Sequence, residues 1–196
     1  AQTFSDIPAS DGRRIVVGWM AQGSYPDMPF NQQMTFPCEL TLRTASGGLR
    51  LCKTPVREIA ALYGATHEWA GVTVNPGDNP LAKVTGNLFD VEADIDPGGA
   101  TEFGFDIRGH KVSYIVGDRV LACLKRNLPL GPVHGTIRLR LLVDRTSVEV
   151  FGNDGLAAAS SCCLPLRDER PLRFYVNGGS GRIVRMQVHE LKSAWP

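Results

Sequence analysis

The sequence lacks several features that would assign a function directly. It has no apolar run near the ~20 residues that a membrane-spanning helix needs. Lys+Arg (21) and Asp+Glu (20) leave a net charge of +1, so no basic field is available to hold nucleic acid through its phosphates. It has no C-x-x-C pair, and its four histidines are scattered. We therefore expect no metal site, no nucleic-acid partner and no membrane segment.

Cofactor motifs are also missing. The glycine-rich residues 178–182 lack the Lys-Ser/Thr of a phosphate-binding loop, and their position between two strand patterns is typical of a hairpin turn. No G-x-S-x-G nucleophile elbow occurs. The five cysteines are an odd number, which argues against a complete disulfide framework and favours buried core positions, with one structural disulfide as the alternative. We expect no cofactor.

Alternating apolar and polar residues dominate what is present. Short alternating runs are separated by Gly, Asn and Asp, which tolerate the backbone angles of tight turns. Residues 146–151 place Val148 and Val150 on one face and Ser147, Glu149 and Phe151 on the other. The pattern predicts an all-β chain, with strands near residues 13–20, 34–43, 48–53, 68–74, 86–95, 102–108, 111–116, 119–124, 136–143, 146–151, 156–161, 172–177 and 182–191.

One segment departs from this pattern. Thr54 is a candidate N-cap, Pro55 suits the first helical position, and Gly64 ends an apolar side formed within residues 56–63. We predict a two-turn helix over 55–64 that links residues 1–54 to a domain over 65–196. The spacing of the later strands, about ten residues each, predicts a two-sheet antiparallel β-sandwich of jelly-roll or lectin-like type.

Pairs of acidic residues are the natural candidates for glycoside cleavage, which requires two carboxyl groups across the scissile bond. Asp144 and Glu149 form one such pair. Asp90, Glu92, Asp94 and Asp96 share one strand face at a period of two, and that pattern is more typical of a solvent-exposed sheet face. Asp144 precedes Arg145 at a turn, where Asp is favoured.

The long loop over residues 21–33 combines aromatic and amide side chains, which suits contact with a sugar or with another domain. The candidate contact residues are Trp19, Tyr25, Asn31 and Gln32. The competing interpretation, which we favour, places Trp19 in the core and gives the amides the role of bracing the loop.

Several segments resemble glycoside hydrolase family 32, the invertases, levanases and inulinases that cleave β-fructofuranosyl bonds. The resemblance is carried by RIVVGWM (14–20), PFNQQMTFPCELTL (29–42), GLRL (48–51), PVREI (55–59), LVDRTSVEVFGNDG (142–155) and VHEL (188–191). It spans nearly the whole chain, in order and in spacing.

That resemblance implies an N-terminal five-bladed β-propeller with the active site, followed by a C-terminal β-sandwich. Residues 1–54 would be remnant strands of the last propeller blade. The family's catalytic motifs, Asn-Asp-Pro, Arg-Asp-Pro and Glu-Cys, do not occur here. Residues 37–39 reverse the last motif, and Arg167-Asp168-Glu169 lacks the proline. No catalytic residue can be assigned.

The resulting expectation is a C-terminal module that supports the catalytic propeller of an enzyme acting on sucrose, inulin or levan, and that is inactive alone. A fructan-binding module and an oligomerisation module are the alternatives. Blade strands without their neighbours would present unpaired edges, which predicts homodimers through those edges. The compartment is open from sequence, although the resemblance implies a secreted or periplasmic parent.

Overall fold

A computed structural model of the chain describes residues 1–21, 23–45, 47–166 and 171–194. Every strand pairing within this part is antiparallel. The strands are β1 (Gln2–Thr3), β2 (Arg14–Val17), β3 (Trp19–Met20), β4 (Gln33–Met34), β5 (Cys38–Ala45), β6 (Gly48–Pro55), β7 (Tyr63–Val74), β8 (Phe89–Asp96), β9 (Glu102–Ile107), β10 (His110–Ile115), β11 (Val120–Cys123), β12 (Arg126–Pro129), β13 (Ile137–Val143), β14 (Ser147–Gly152), β15 (Ala157–Cys162), β16 (Arg173–Asn177) and β17 (Gly181–Leu191).

Two sheets form the sandwich. One has five strands in the order β12-β11-β10-β9-β16, and the other has six in the order β15-β14-β13-β8-β17-β7. One large cluster of buried side chains draws on both sheets. The predicted two-sheet antiparallel sandwich is therefore confirmed.

Strand alternation explains how the core forms. In β9, the side chains of Phe103, Phe105 and Ile107 are buried, while Glu102 before them and Asp106 between Phe105 and Ile107 are half-buried. Phe174 of β16 lies against both phenylalanines, with ring centroids 6.4 Å from Phe103 and 5.3 Å from Phe105. Side chains alternate between the two faces of a strand, so every second side chain of β9 points into the core, as the sequence pattern predicted.

The N-terminal residues form two smaller sheets, β1-β2-β5-β6 and the pair β3-β4. Cys38 of β5 and Ile59 lie in a second apolar cluster with Leu142 of β13 and Phe151 of β14. The six-stranded sheet is consequently buried on both faces here, and every residue of β14 is buried. Ser147, Glu149 and Phe151 do lie opposite Val148 and Val150, but neither face is exposed.

The predicted helix differs in type and extent. A 3₁₀ helix runs over Arg57–Leu62, while Thr54 and Pro55 belong to strand β6. The residue before the helix is Val56, and no side chain caps it. Thr54 is therefore not an N-cap, because its backbone pairs with Glu39 of β5 instead. The division of the chain at residues 54 and 64 stays a prediction.

Strand β17 contains an irregularity that the sequence pattern did not reveal. Ile183 pairs with Ile95 of β8, whereas Arg185 pairs with Asp94, so that Val184 is an extra residue, as in a β-bulge. Residues three apart in a regular strand point to opposite faces. Because of the extra residue, Ile183 and Met186 are both buried. Strands β1 and β12 were not predicted; each is short and lies at a sheet edge.

Gly155 is the point where the hairpin between β14 and β15 meets strand β6. Its carbonyl accepts a hydrogen bond from Lys53 N at 3.2 Å. Its φ is +81°, and a Cβ at this position would overlap the backbone of Lys53. The turn therefore requires glycine for two reasons, one conformational and one steric.

We expect Gly155→Ala to lower the free energy of unfolding by about 3 kcal/mol or more, because it adds overlap with β6 to the strain of a positive φ. Gly135→Ala is the matched control: Gly135 has φ +83°, and no atom lies within 4 Å of the point where an added Cβ would sit. That variant should lose only about 1 kcal/mol. Urea denaturation measures both values, and equal losses would contradict a steric role for Lys53.

Candidate functional site at the junction of the N-terminal strands and the sandwich

The four predicted contact residues do not share one environment. Trp19 is 64% exposed and lies opposite Met34 across the β3–β4 pair. Tyr25 is buried, and its hydroxyl donates to Gln33 Oε1 at 2.7 Å. The interpretation that Trp19 is a core residue is wrong, since most of its surface is open to solvent.

The amides of this loop do support its conformation. Asn31 Oδ1 accepts a hydrogen bond from Tyr25 N at 3.0 Å, and Gln32 N donates to Gly23 O at 3.0 Å. Gln32 has a positive φ of 68°. Asn31 therefore holds the loop through its side-chain amide and Gln32 through its backbone N, and a role for either in sugar binding stays a prediction.

The predicted carboxylate pair does not form a hydrolytic site. Asp144 sits at the turn between β13 and β14, where its Oδ1 accepts from Arg145 N at 2.7 Å. Glu149 is buried beneath the N-terminal strands. One group is at a turn on the surface and the other is enclosed, so they do not face each other across an open cleft.

Glu149 joins three separate parts of the chain. Its Oε1 accepts from Phe36 N at 2.6 Å, and its Oε2 accepts from Ser160 Oγ of β15 at 2.5 Å. Lys53 Nζ of β6 lies 3.7 Å from Oε2. Burial raises the pKa of Glu149, against the opposing effect of these hydrogen bonds and of the lysine charge. The carboxyl is a structural connection between β15 and the N-terminal strands.

The expectation that Asp90, Glu92, Asp94 and Asp96 form a solvent-exposed face is wrong for Asp90. It is buried in the central strand β8, where Arg140 donates to it twice, Nε to Oδ1 at 2.9 Å and Nη2 to Oδ2 at 2.6 Å. Tyr63, next to the 3₁₀ helix, donates its hydroxyl to Oδ2 at 2.8 Å. Glu92, Asp94 and Asp96 are half-buried. The period of two was correct, but the N-terminal strands cover part of this face.

Arg13 connects the N-terminal strands to the 3₁₀ helix. Its guanidinium donates to both oxygens of Asp11, at 2.6 and 2.8 Å, and to both oxygens of Glu58, at 3.0 and 2.7 Å. These bonds lower the pKa of both Asp11 and Glu58 to about 2. Bidentate geometry of this kind fixes orientation as well as attracting charge.

The histidines and cysteines take separate positions. His67 bonds Glu190, His110 bonds the carbonyl of Leu164, and His189 stacks on Tyr63 with centroids 3.9 Å apart. No group of three or more His, Cys, Asp or Glu suited to a metal ion occurs among the described residues.

Cys38, Cys52 and Cys123 are buried, as predicted, and Cys162 and Cys163 are half-buried; none is in a disulfide.

A groove of about 340 Å³ opens beside the N-terminal loop. Phe30 and Phe36 contribute aromatic surface to it, and Asp144, Arg145 and Lys192 contribute charged groups. Phe30 also packs edge-on against the Tyr25 ring, with centroids 5.7 Å apart. Asp144 and Lys192 lie far from Phe30 in the sequence, so no local pattern indicates that the three residues line one groove. No helix in the described part of the chain is long and apolar enough to cross a membrane.

The fold and the matched residues define the class of protein. Residues 118–190, which run from just before β11 to the penultimate residue of β17, match the family described as glycosyl hydrolases family 32 C terminal. The chain is the C-terminal region of a glycoside hydrolase family 32 protein, as the sequence resemblance indicated. The similarity extends through the N-terminal strands in whole-chain comparisons.

Two levanases are similar over the entire chain. The levanase of Bacillus subtilis (strain 168) is 35% identical over 223 residues, and that of Bacillus sp. (strain L7) is 33% identical over 227 residues. The chain covers 33% and 24% of those proteins, so it spans a third or less of their length. The exo-inulinase of Aspergillus awamori has the same fold, with a TM-score of 0.79 at 22% identity over 93% of this chain and 41% of the inulinase.

The two buried carboxyls, Glu149 and Asp90, have different hydrogen-bond partners, so each can be tested individually. We expect Glu149→Ala to lower the free energy of unfolding by about 2–4 kcal/mol, because Phe36 N and Ser160 Oγ lose a buried partner. Glu149→Gln keeps an acceptor for Phe36 N and should lose about 1 kcal/mol or less. Chemical denaturation at fixed pH measures both, and equal losses would contradict the role of Glu149 as an acceptor.

The pH dependence provides a second measurement on the same variants. Because the folded pKa of Glu149 is raised, its contribution to stability is present below the ordinary pKa of glutamate, 4.5, and is lost as pH rises through the folded value. The Glu149→Gln variant has no carboxyl group at this position to ionise. Its free energy of unfolding should therefore fall less as the pH rises through this range. An identical pH profile in the two proteins would show that Glu149 does not carry this dependence.

Proposed function

We propose that this chain is the supporting C-terminal part of an enzyme that hydrolyses β-fructofuranosyl bonds in sucrose, inulin or levan, and that it supplies no catalytic residue. Its partner is the N-terminal catalytic propeller of the same parent protein. The observation that carries the proposal is an exposed apolar row on the N-terminal sheet.

The apolar row consists of Leu42, Leu49 and Leu51. Leu42 of β5 lies directly opposite Leu51 of β6, and Leu49 lies opposite Thr44 in the adjacent pair of the same face. The three leucines are 67%, 63% and 61% exposed. Side chains of opposed residues share one sheet face, so these leucines form a continuous strip. An exposed strip of this kind is typical of an interface.

The other side of the same N-terminal segment already has a partner. Cys52 of β6 is buried, and Arg43 of β5 donates to the carbonyls of Asn153 and Asp154 in the hairpin between β14 and β15. The N-terminal sheet is thus held on the sandwich through one set of residues while its leucines point elsewhere. A further sheet from the parent's propeller is the occupant that fits this strip, and the levanase relatives are three or more times as long as this chain.

Three of the candidate acidic residues, Glu149, Asp90 and Asp144, support the absence of catalysis. A retaining glycosidase needs two carboxyl groups about 5 Å apart and open to substrate. Glu149 and Asp90 are 0% exposed and are engaged by hydrogen-bond donors. Asp144 is bonded in a turn. Arg167-Asp168-Glu169 lies outside the described residues.

A chimera tests the supporting role. We expect the levanase of Bacillus subtilis to keep levan hydrolysis when this chain replaces its matching C-terminal part. Leu42→Ser with Leu51→Ser in that chimera should lower the Tm of inactivation by about 5 °C, because two leucines lose a buried contact. Val133→Ser, which alters a side chain 46% exposed on the sandwich, should leave it unchanged.

The pure chain is the companion measurement for the absence of catalysis. It should release no fructose from sucrose, inulin or levan. Steady release would refute the non-catalytic assignment, and equal Tm values for the leucine and valine chimeras would refute the docking role of the strip.

A second candidate function is fructan binding by the N-terminal loop, favoured by the exposure of Trp19 and by the groove beside Phe30. A sugar ring can stack its apolar face on Phe30 while Asp144 and Arg145 reach its hydroxyl groups. The Asn31→Ala variant does not test sugar binding by itself. It also removes Asn31 Oδ1, which accepts the hydrogen bond from Tyr25 N that holds the loop.

Calorimetric titration with fructo-oligosaccharides tests the binding candidate. If the groove binds sugar, the wild-type chain gives saturable heat that Phe30→Ala removes and Val133→Ser retains. If Trp19 provides the contact instead, Trp19→Ala removes the heat and Phe30→Ala does not. No saturable heat from the wild-type chain would exclude this function.

A further inference from the structure

The chain has seven asparagines, and one of them, Asn177, precedes a glycine. Asn177 is the last residue of strand β16 and is exposed, and Gly178 begins the loop to β17 with φ +75°. A glycine has no side chain to hinder attack by its own backbone nitrogen on the amide that precedes it. An exposed Asn-Gly step at a strand end therefore joins a reactive amide to an accessible nucleophile.

We propose that Asn177 is a modification site, at which the folded protein converts asparagine to a mixture of aspartate and isoaspartate. The Gly178 nitrogen loses its proton to solvent hydroxide and forms a bond to Cγ of Asn177. The Cγ–Nδ2 bond breaks, and the nitrogen leaves as ammonia after taking a proton from water. Water then opens the five-membered imide at either carbonyl, which gives the two products without any redox step.

The two Asp-Gly steps with defined contacts show why the reaction is assigned to Asn177. Imide formation from aspartate requires the neutral acid, because water must leave. Asp11, before Gly12, is held by Arg13, which lowers its pKa to about 2. Asp154, before Gly155, lies 3.2 Å from Arg138 and 3.8 Å from Arg43. Both carboxylates are paired with cations, whereas Asn177 needs no protonation to react.

The contacts of Asn177 predict the consequence of conversion. Its Nδ2 donates to Glu102 Oε2 at 3.1 Å, and its carbonyl accepts from Thr101 N at 2.9 Å. Glu102 also accepts from the Tyr175 hydroxyl at 2.7 Å. A carboxylate at 177 would replace a donor to Glu102 by a like charge. Isoaspartate would also add a backbone atom between residues 177 and 178, in the same loop as Ser180, whose carbonyl accepts from Gly99 N at 3.0 Å.

Peptide mapping of the native chain tests the proposal. After incubation in mildly alkaline buffer, trypsin cleavage at Arg173 and Arg182 releases residues 174–182. We expect this peptide to show the mass increase of an amide replaced by a hydroxyl, split between two isomers, at least tenfold faster than the Asn127 peptide, residues 127–138. Asn177→Gln should abolish the change, because a longer side chain closes the ring less readily.

The aged protein should also unfold at a Tm about 2–4 °C lower than fresh protein, while aged Asn177→Gln should not change. Conversion at Asn177 no faster than at Asn127 would overturn the proposal. Conversion that occurs only in urea would overturn it as well, since the folded loop would then protect the amide.

Discussion

The N-terminal strands bury part of the outer face of the six-stranded sheet, and the rest of the structure depends on that contact. Burial there encloses charged groups, which is costly unless each is paired. Glu149 is satisfied by Phe36 N, Ser160 and Lys53, and Asp90 by Arg140 and Tyr63. Because Phe36 and Lys53 come from the N-terminal segment, the sandwich and that segment stabilise each other.

This arrangement gives the N-terminal sheet two different sides. One side contributes Arg43 and Cys52 to the junction, and the other exposes Leu42, Leu49 and Leu51. A sheet held rigidly by one side can present the other without distortion, which suits a support more than a flexible linker. The paired state of the acidic groups agrees with that role, because a hydrolytic carboxyl must remain open to substrate.

Much of the fold could be predicted from sequence because strand alternation and turn residues are local signals. All thirteen predicted segments overlap strands, although the segments 13–20 and 34–43 each span two strands, and the two-sheet sandwich follows from their spacing. The missed strand β1 has two residues, too few to show alternation, and β12 (RNLP) has no alternation of apolar and polar residues. The helix was misplaced because Pro55 suits both a helix start and a strand end, and pairing of β6 with β5 decides between them.

The sequence by itself determined the strand pattern, the family and the lack of the family's catalytic motifs, since these depend on residue order alone. Tertiary structure decided which polar residues are buried. Asp90 and Glu149 have the period of an exposed face, and Trp19 has the composition of a core residue, yet their environments are the reverse. Local sequence reports which side chains share a face, whereas burial of that face depends on segments distant in the chain that pack against it.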